Sequence, residues 1–279
     1  MYTLRDKVSD ALDRGILIPK VLGSILSRPI TFSGRDIFSR FSRSRRLVKE
    51  FVDTLRTSTE ALASFGNYSI FDDENLGPDS VIYSFGVGTN VSFDEELVTH
   101  YGCRVHLFDP TPVSVVYMEQ HPLTGVNFRF EPVGVADREG EMTFYLRFAG
   151  GSYTLFKPKW RTIDTFQARC LTLDQIMSSS GHSNIDLLKM DIEGAALPVM
   201  WDMKRKGIRP QQIVVELEVP AVGDVEEFLE NVGRLVEAYE QEGYEIVHLP
   251  RNQYNYYSVE LLMRLREREQ LVLDSEGEL

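Results

Sequence analysis

Two cysteines, Cys103 and Cys170, are all that the 279 residues contain. They form no Cys-x-x-Cys pair, which leaves zinc and dithiol-redox readings without support, and they are too few for a disulfide framework. Free thiols suit a reducing compartment, so the expected location is cytoplasmic. Long hydrophobic runs are also missing. The longest candidate near the start, Ile16 to Leu26, is broken by Pro19, Lys20 and Gly23, whereas a membrane span needs about 18 apolar residues. No small-residue cleavage pattern follows it, so no signal peptide is expected. The five histidines show no ligand spacing, and no residue is assigned to a metal. Positive charge is scarce beyond the N-terminus. Residues 1–60 hold 12 Lys/Arg against 7 Asp/Glu, and the rest of the chain holds 18 against 35. Such a body repels phosphate, so nucleic acid is not an expected partner.

The exception is "SRFSRSRRLVKEF", residues 39–51. It reads as the solvated face of a helix whose apolar side is Phe38, Phe41, Val48, Phe51 and Val52. Docking onto an acidic substrate, a partner or the acidic body of the chain is the alternative. Residues 1–65 are expected to form an N-terminal helical arm: Leu4, Val8 and Leu12 recur at helical spacing, as do Leu47, Phe51 and Leu55. Homo-oligomerisation, if it occurs, is expected to run through this arm.

Residues 66–279 form the second expected unit, opened by the turn-rich stretch 66–79. Its pattern is a series of short apolar runs: "VIYSFG", "RVHLFDP", a third within "NFRFEPVGVAD", then "IDLLKMDIEG", "QIVVELEV", "YEIVHLP" and "NYYSVELLMRL". "EMTFYLRF" and "FQARCLTL" read as extra or antiparallel strands. Helical stretches fall between, over 93–99, 113–120, 195–206 and 225–241. This alternation predicts βαβ units, a mostly parallel sheet and helices on both faces. Ligands of such folds bind beyond the carboxyl ends of the strands. The residues to watch are therefore those that end strands.

"SFGVGTN" (84–90) joins a strand to a helix. Gly86 and Gly88 allow a tight bend and close approach of backbone to a ligand. A dinucleotide fingerprint would place a third glycine where Val91 stands. Asp109 closes the next strand 23 residues after Gly86, near the offset of a ribose-binding acid; it could also be a helix cap. Asp137 could meet an adenine edge or belong to a turn. "IDLLKMDIEGA" (185–195) puts Lys189, Asp191 and Glu193 on one face of a strand. Buried charges are costly unless paired. The strand is therefore expected to run out of the core, with Lys189 deepest and paired to a carboxylate, Asp191 at the rim and Glu193 beyond it.

"IDLLKMDIEGA", with "VIYSFGVGTNVSFD", "GCRVHLFDPTP", "GVADREG" and "IVVELE", resembles the FkbM family of S-adenosylmethionine-dependent methyltransferases over about residues 66–260. The resemblance implies a class I Rossmann-like methyltransferase fold with a seven-stranded sheet, S-adenosyl-L-methionine as cofactor, and O-methylation of a hydroxyl on a small molecule or sugar. It implies that Gly86 and Gly88 border the methionine part of the cofactor, and that Ser84, Phe85, Val87 and Asn90 of the same turn belong to the cofactor site. Asp109 and Pro110 would lie at the ribose, Ala136 and Asp137 near adenine, and Asp191 beside the sulfonium and acceptor. Asp191, Glu193 and Glu216 are the candidate bases. Two positions depart from the pattern: Ser84 stands where many methyltransferases carry an acid, and Ala196 where the motif often has Glu. A nicotinamide-dependent oxidoreductase and a non-catalytic cofactor-binding interaction protein are the other readings.

Overall fold

The computed structural model describes residues 34–266, apart from 59, 61, 73–74, 147–152, 156, 158–163, 220–224 and 250–257. The periodic Leu4, Val8 and Leu12 lie outside the described residues. Helix α1 is Gly34–Val52. Residues 62–65, read above as the end of the helical arm, are instead a strand. They form β1 (Leu62–Phe65), which pairs antiparallel with β2 (Tyr68–Phe71) in a hairpin. The two residues between them are Gly66 and Asn67, a turn pair that suits a two-residue hairpin loop.

The remaining elements are β3 (Val81–Phe85), α2 (Ser92–Tyr101), β4 (Arg104–Phe108), α3 (Pro112–Glu119), β5 (Phe128–Glu131), β6 (Gly134–Val135), β7 (Gly140–Leu146), β8 (Tyr153–Thr154), β9 (Thr165–Leu171), α4 (Leu173–Ser180), β10 (Leu187–Met190), α5 (Ala196–Lys206), β11 (Gln212–Glu218), α6 (Val225–Glu240), β12 (Tyr244–His248) and β13 (Ser258–Leu265). Their ends follow from local chemistry. Pro112 sits in the first turn of α3, where a missing N–H costs nothing. Thr172 and Gln175 form a capping box at the start of α4. Glycines 102, 181 and 207 take left-handed conformations that close α2, α4 and α5.

Seven strands form the central sheet in the order β12-β13-β11-β10-β3-β4-β5. Five adjacent strands, β11, β10, β3, β4 and β5, are parallel. Among the described residues, only β13 runs against its neighbours in this sheet, antiparallel to both β11 and β12. One face packs on α1, α4, α5 and α6 through Val48, Ile176, Val199, Met200 and Val232. The other packs on the hairpin, α2 and α3 through Ile70, Phe71, Phe93, Leu97 and Met118. The expected layered α/β fold is what the chain adopts.

Between β5 and α4 the chain departs into a second sheet, ordered β6-β9-β7-β8. The stretch 127–137 thus holds two strands in different sheets rather than one. The α4 helix, eight residues directly after β9, was not expected from the sequence.

Two contacts fix the hairpin on the sheet. The buried Gln212 side chain accepts from Phe71 N at 3.1 Å and donates to Phe71 O at 3.1 Å. Gly66 N donates to Glu96 Oε2 at 2.8 Å, and a Cβ at Gly66 would lie 2.6 Å from Phe93 N. The basic helix α1 is docked on its own chain: Val48 is buried in the core, and Arg43 pairs with Glu226 of α6.

Candidate active site

The chain leaves β3 at Phe85 and bends through Gly86 (φ 84°) and Gly88 (φ 56°), a backbone region open to glycine at little cost. A Cβ on Gly86 would stand 1.8 Å from Asp191 O, so the bend presses against the end of β10. A Cβ on Gly88 would meet nothing within 4 Å, so space opens beside the second glycine.

Three strand ends meet at this bend. Asp109, just past β4, accepts from Val87 N (2.9 Å), Gly88 N (3.0 Å) and Ser114 Oγ (2.8 Å) through Oδ2. Its Oδ1 accepts from Thr111 N (2.8 Å) and Thr111 Oγ1 (2.7 Å). The carboxylate therefore clamps the bend to the start of α3, and a ribose grip would require one of these donors to yield. Asp191 N donates to Phe85 O at 3.0 Å, which ties the end of β10 to the same bend. Gly86, Asp109 and Asp191 thus converge on one place.

Lys189 lies deepest of its three charges, as its alternation demands, and is buried. Its partners differ from the expected carboxylate. Nζ donates to Gly86 O at 2.6 Å and Phe85 O at 3.3 Å, and stands 5.1 Å from the centroid of the Tyr68 ring. Among the described residues no carboxylate lies within ion-pair distance of it. The carbonyls exposed by the bend sit directly above Lys189, so backbone dipoles satisfy the ammonium instead.

Asp191 is half-buried at the rim and accepts from Tyr68 Oη through Oδ2 at 2.6 Å. Tyr68 comes from the hairpin, and its ring packs edge-on to Phe93 at 5.2 Å. Glu193 has φ 48°, unusual for a residue with a side chain. Thr154 of β8 holds it by donating Oγ1 to Glu193 O at 2.8 Å. The inserted sheet thereby reaches the rim.

Glu216 is buried in β11 and faces Glu260 of β13 in register. Met190 pairs with Val215, so Glu216 stands at the level of Asp191. Asn90 is exposed and accepts from Ser92 N at 3.1 Å before α2. Ala136 is buried, its N–H donating to Leu171 O at 2.9 Å, and Asp137 pairs with Arg138 at 3.0 Å on the second sheet. Pro110 is partly buried against Gly134. Ser84 is fully buried next to Lys189 in register.

Sequence reasoning did not single out Tyr68, Thr154 or Asp94. Asp94, in the first turn of α2, is buried. Burial pushes its carboxyl up to about 6, against the Lys189 charge and the nearby Ser84 hydroxyl, which pull it down. The Gly66–Asn67 pair between apolar runs was a usable sign of the hairpin. Asp94 closes the quoted stretch 81–94, but acids in a first helical turn are common for dipole reasons alone, so its burial was not legible.

A five-strand parallel core with one reversed strand beside the edge, and a glycine bend meeting two strand-end acids, makes this a Rossmann-like α/β fold. The "Methyltransferase FkbM domain" family model matches residues 81–246. The chain belongs to the FkbM methyltransferase family and is a methyltransferase that uses S-adenosylmethionine. No curated protein matches the sequence. Solved structures with loose similarity include Aeropyrum pernix fibrillarin with natively bound S-adenosyl-L-methionine (10% identity, 76% of this chain and 86% of that one, TM-score 0.40). They also include the N-methyltransferase NodS from Bradyrhizobium japonicum (10% identity, 82% and 97%, TM-score 0.35). At this similarity neither carries a functional inference.

The residues present fit such a cofactor. The open side of Gly88 leaves room at the bend for the cofactor's backbone-facing part.

Proposed function

We propose that the chain transfers a methyl group to a hydroxyl oxygen of a small molecule or a sugar. One observation carries the reading: Asp191 joins the glycine bend through its backbone and offers a carboxylate at the rim through its side chain. The cofactor, when bound, supplies an electrophilic methyl on a sulfonium. The bend from Ser84 to Asn90 borders its amino-acid part, Asp109 and Pro110 its sugar, and Ala136 and Asp137 its base. Asp191 is the leading candidate to take the acceptor proton, since Oδ2 is already oriented by Tyr68. Glu193 and Glu216 are the alternatives, the first placed by Thr154, the second at the same level on β11. A positioned base contributes about 10²- to 10⁴-fold, and alignment of the reacting groups about 7–11 kcal/mol. The acidic body supports a small acceptor over a polyanion.

The test is transfer of a labelled methyl from S-adenosylmethionine into fractionated metabolites, with the product linkage read by NMR. An O-methyl product, lost by at least about 100-fold in Asp191→Asn with S-adenosylhomocysteine affinity within a few-fold, supports the reading. An N- or C-methyl product refutes the hydroxyl acceptor. Tight NAD binding without a response to S-adenosylhomocysteine refutes the donor.

A further inference from the structure

The hairpin precedes the family-matched segment, yet it sends one side chain into the site. Tyr68 opens β2, and Ile70, two residues on, shares its face and is fully buried. The pleat therefore turns the phenol toward the sheet. Three contacts hold it there. The ring packs edge-on to Phe93 at 5.2 Å and lies 5.1 Å from Lys189 Nζ, and the hydroxyl donates to Asp191 Oδ2 at 2.6 Å. The hairpin is tied down on both sides of Tyr68. Gly66 N donates to Glu96, the Phe71 backbone pairs with Gln212, and Arg264 of β13 lies over the Phe71 ring at 4.1 Å.

The two oxygens of Asp191 are thereby made unequal. Oδ2 is taken by the phenol, whereas Oδ1 takes no hydrogen bond among the described residues and sits on a half-buried residue at the rim. We infer that Tyr68 is a positioning residue for methyl transfer: by holding Oδ2 it selects the Asp191 rotamer that presents Oδ1 to the acceptor hydroxyl. The inference rests on the hydroxyl-acceptor reading and deepens it, because it names the oxygen that takes the proton and the residue that aims it. A short aspartate side chain has several staggered wells open to it, and a charge-assisted hydrogen bond from a fixed donor picks one. A phenylalanine would fill the same space against Phe93 and Lys189, but it could not reach Asp191.

The proton balance is simple. Oδ1 takes the acceptor's proton as the acceptor oxygen bonds the methyl carbon. The carbon–sulfur electron pair stays on sulfur, and Oδ1 then passes the proton to water. Lys189 gives Tyr68 a second connection. Its ammonium donates to Gly86 O and lies beside the phenol ring, so the glycine bend and the aimed carboxylate share one neighbour.

The experiment is a double-mutant cycle on the full chain with Tyr68→Phe, Asp191→Asn and the pair together. Rates are read as transfer from methyl-tritiated S-adenosylmethionine into the metabolite fraction that wild type O-methylates. Tyr68→Phe is expected to lower kcat by about 10- to 100-fold, the cost of a misplaced catalytic group. KM for S-adenosylmethionine and calorimetric affinity for S-adenosylhomocysteine should stay within about twofold, since the interaction is spent on the reaction and not on uniform binding. In the Asp191→Asn background the same substitution should change kcat by less than about twofold, because no base is left to aim. Equal factors in the two backgrounds overturn the inference and make Tyr68 a packing residue. So does a Tyr68→Phe rate within about twofold of wild type. Faster hydrogen exchange over residues 62–71 in Tyr68→Phe, or a loss of S-adenosylhomocysteine affinity that matches the loss of rate, also overturns it. Wild type that yields no O-methyl product refutes the hydroxyl acceptor, and the aimed base goes with it; that failure is visible before any variant is made.

Discussion

Lys189→Met keeps the stem of the side chain and removes the ammonium. Phe85 O remains satisfied because Asp191 N still donates to it. Gly86 O loses the 2.6 Å bond and is left against an apolar tip. An orphaned buried acceptor costs about 1–3 kcal/mol. Part of that is returned, since the buried ammonium no longer pays its own desolvation. At pH 5 the net loss is therefore set near about 1 kcal/mol. The loss then grows with pH. Asp94 has a folded-state pKa raised to about 6, so its contribution to stability is fully present below its unfolded value and fades as pH rises through 6. Lys189 holds that pKa down, and without it the carboxyl titrates higher still. Each further unit adds about 1.4 kcal/mol to the penalty once Asp94 is ionised. The expected difference from wild type is thus about 2–4 kcal/mol at pH 8, assembled from the carbonyl and one to two units at Asp94. Urea unfolding followed by circular dichroism at pH 5, 6.5 and 8 measures it. The growth should vanish when Asp94→Asn is added to both backgrounds. A difference that stays flat from pH 5 to 8, or a variant more stable than wild type at pH 8, refutes the electrostatic account of this cluster.

Gln212→Leu should release the hairpin: two hydrogen bonds to Phe71 go, and the loss is about 2–4 kcal/mol, with faster hydrogen exchange over residues 62–71 as the local readout. Unchanged exchange there would show that packing of Ile70 and Phe71 alone holds the hairpin. His106 has its pKa lowered to about 4, chiefly by burial and then by His182 and nearby arginines. Its contribution to stability is present above 6.5 and is lost as pH falls through 4, up to about 3 kcal/mol. His106→Phe should flatten the acid limb of the wild-type stability curve, and an unchanged limb would place the acid sensitivity elsewhere.

Much of the sheet was legible because its strands are buried on both faces and are punctuated by glycine or by Asp-Pro. The alternation of Lys189, Asp191 and Glu193 correctly marked a strand leaving the core. What it could not show was the partner of Lys189, since backbone carbonyls have no letter in a sequence. The hairpin escaped because each strand has four residues, too short for a two-residue period to stand out from turn-rich surroundings. The split of residues 127–137 between two sheets escaped because Pro132 and Gly134 read as one bend. Tyr68 reaches the site from the hairpin that precedes the motif strands, where distance in the chain hides nearness in space.

The helix that carries Val48 and the hairpin that carries Ile70 and Phe71 both precede residue 81, while β13 follows residue 246. A trimmed fragment covering only the family-matched segment would strip one cover from each face of the sheet and remove a strand from within it. Each large apolar side chain so removed forfeits about 1.5–3 kcal/mol, and the bared edge of β11 would invite pairing between chains. Such a minimal piece should aggregate when expressed, and boundary choice for this protein has to follow its contacts, not its motif limits.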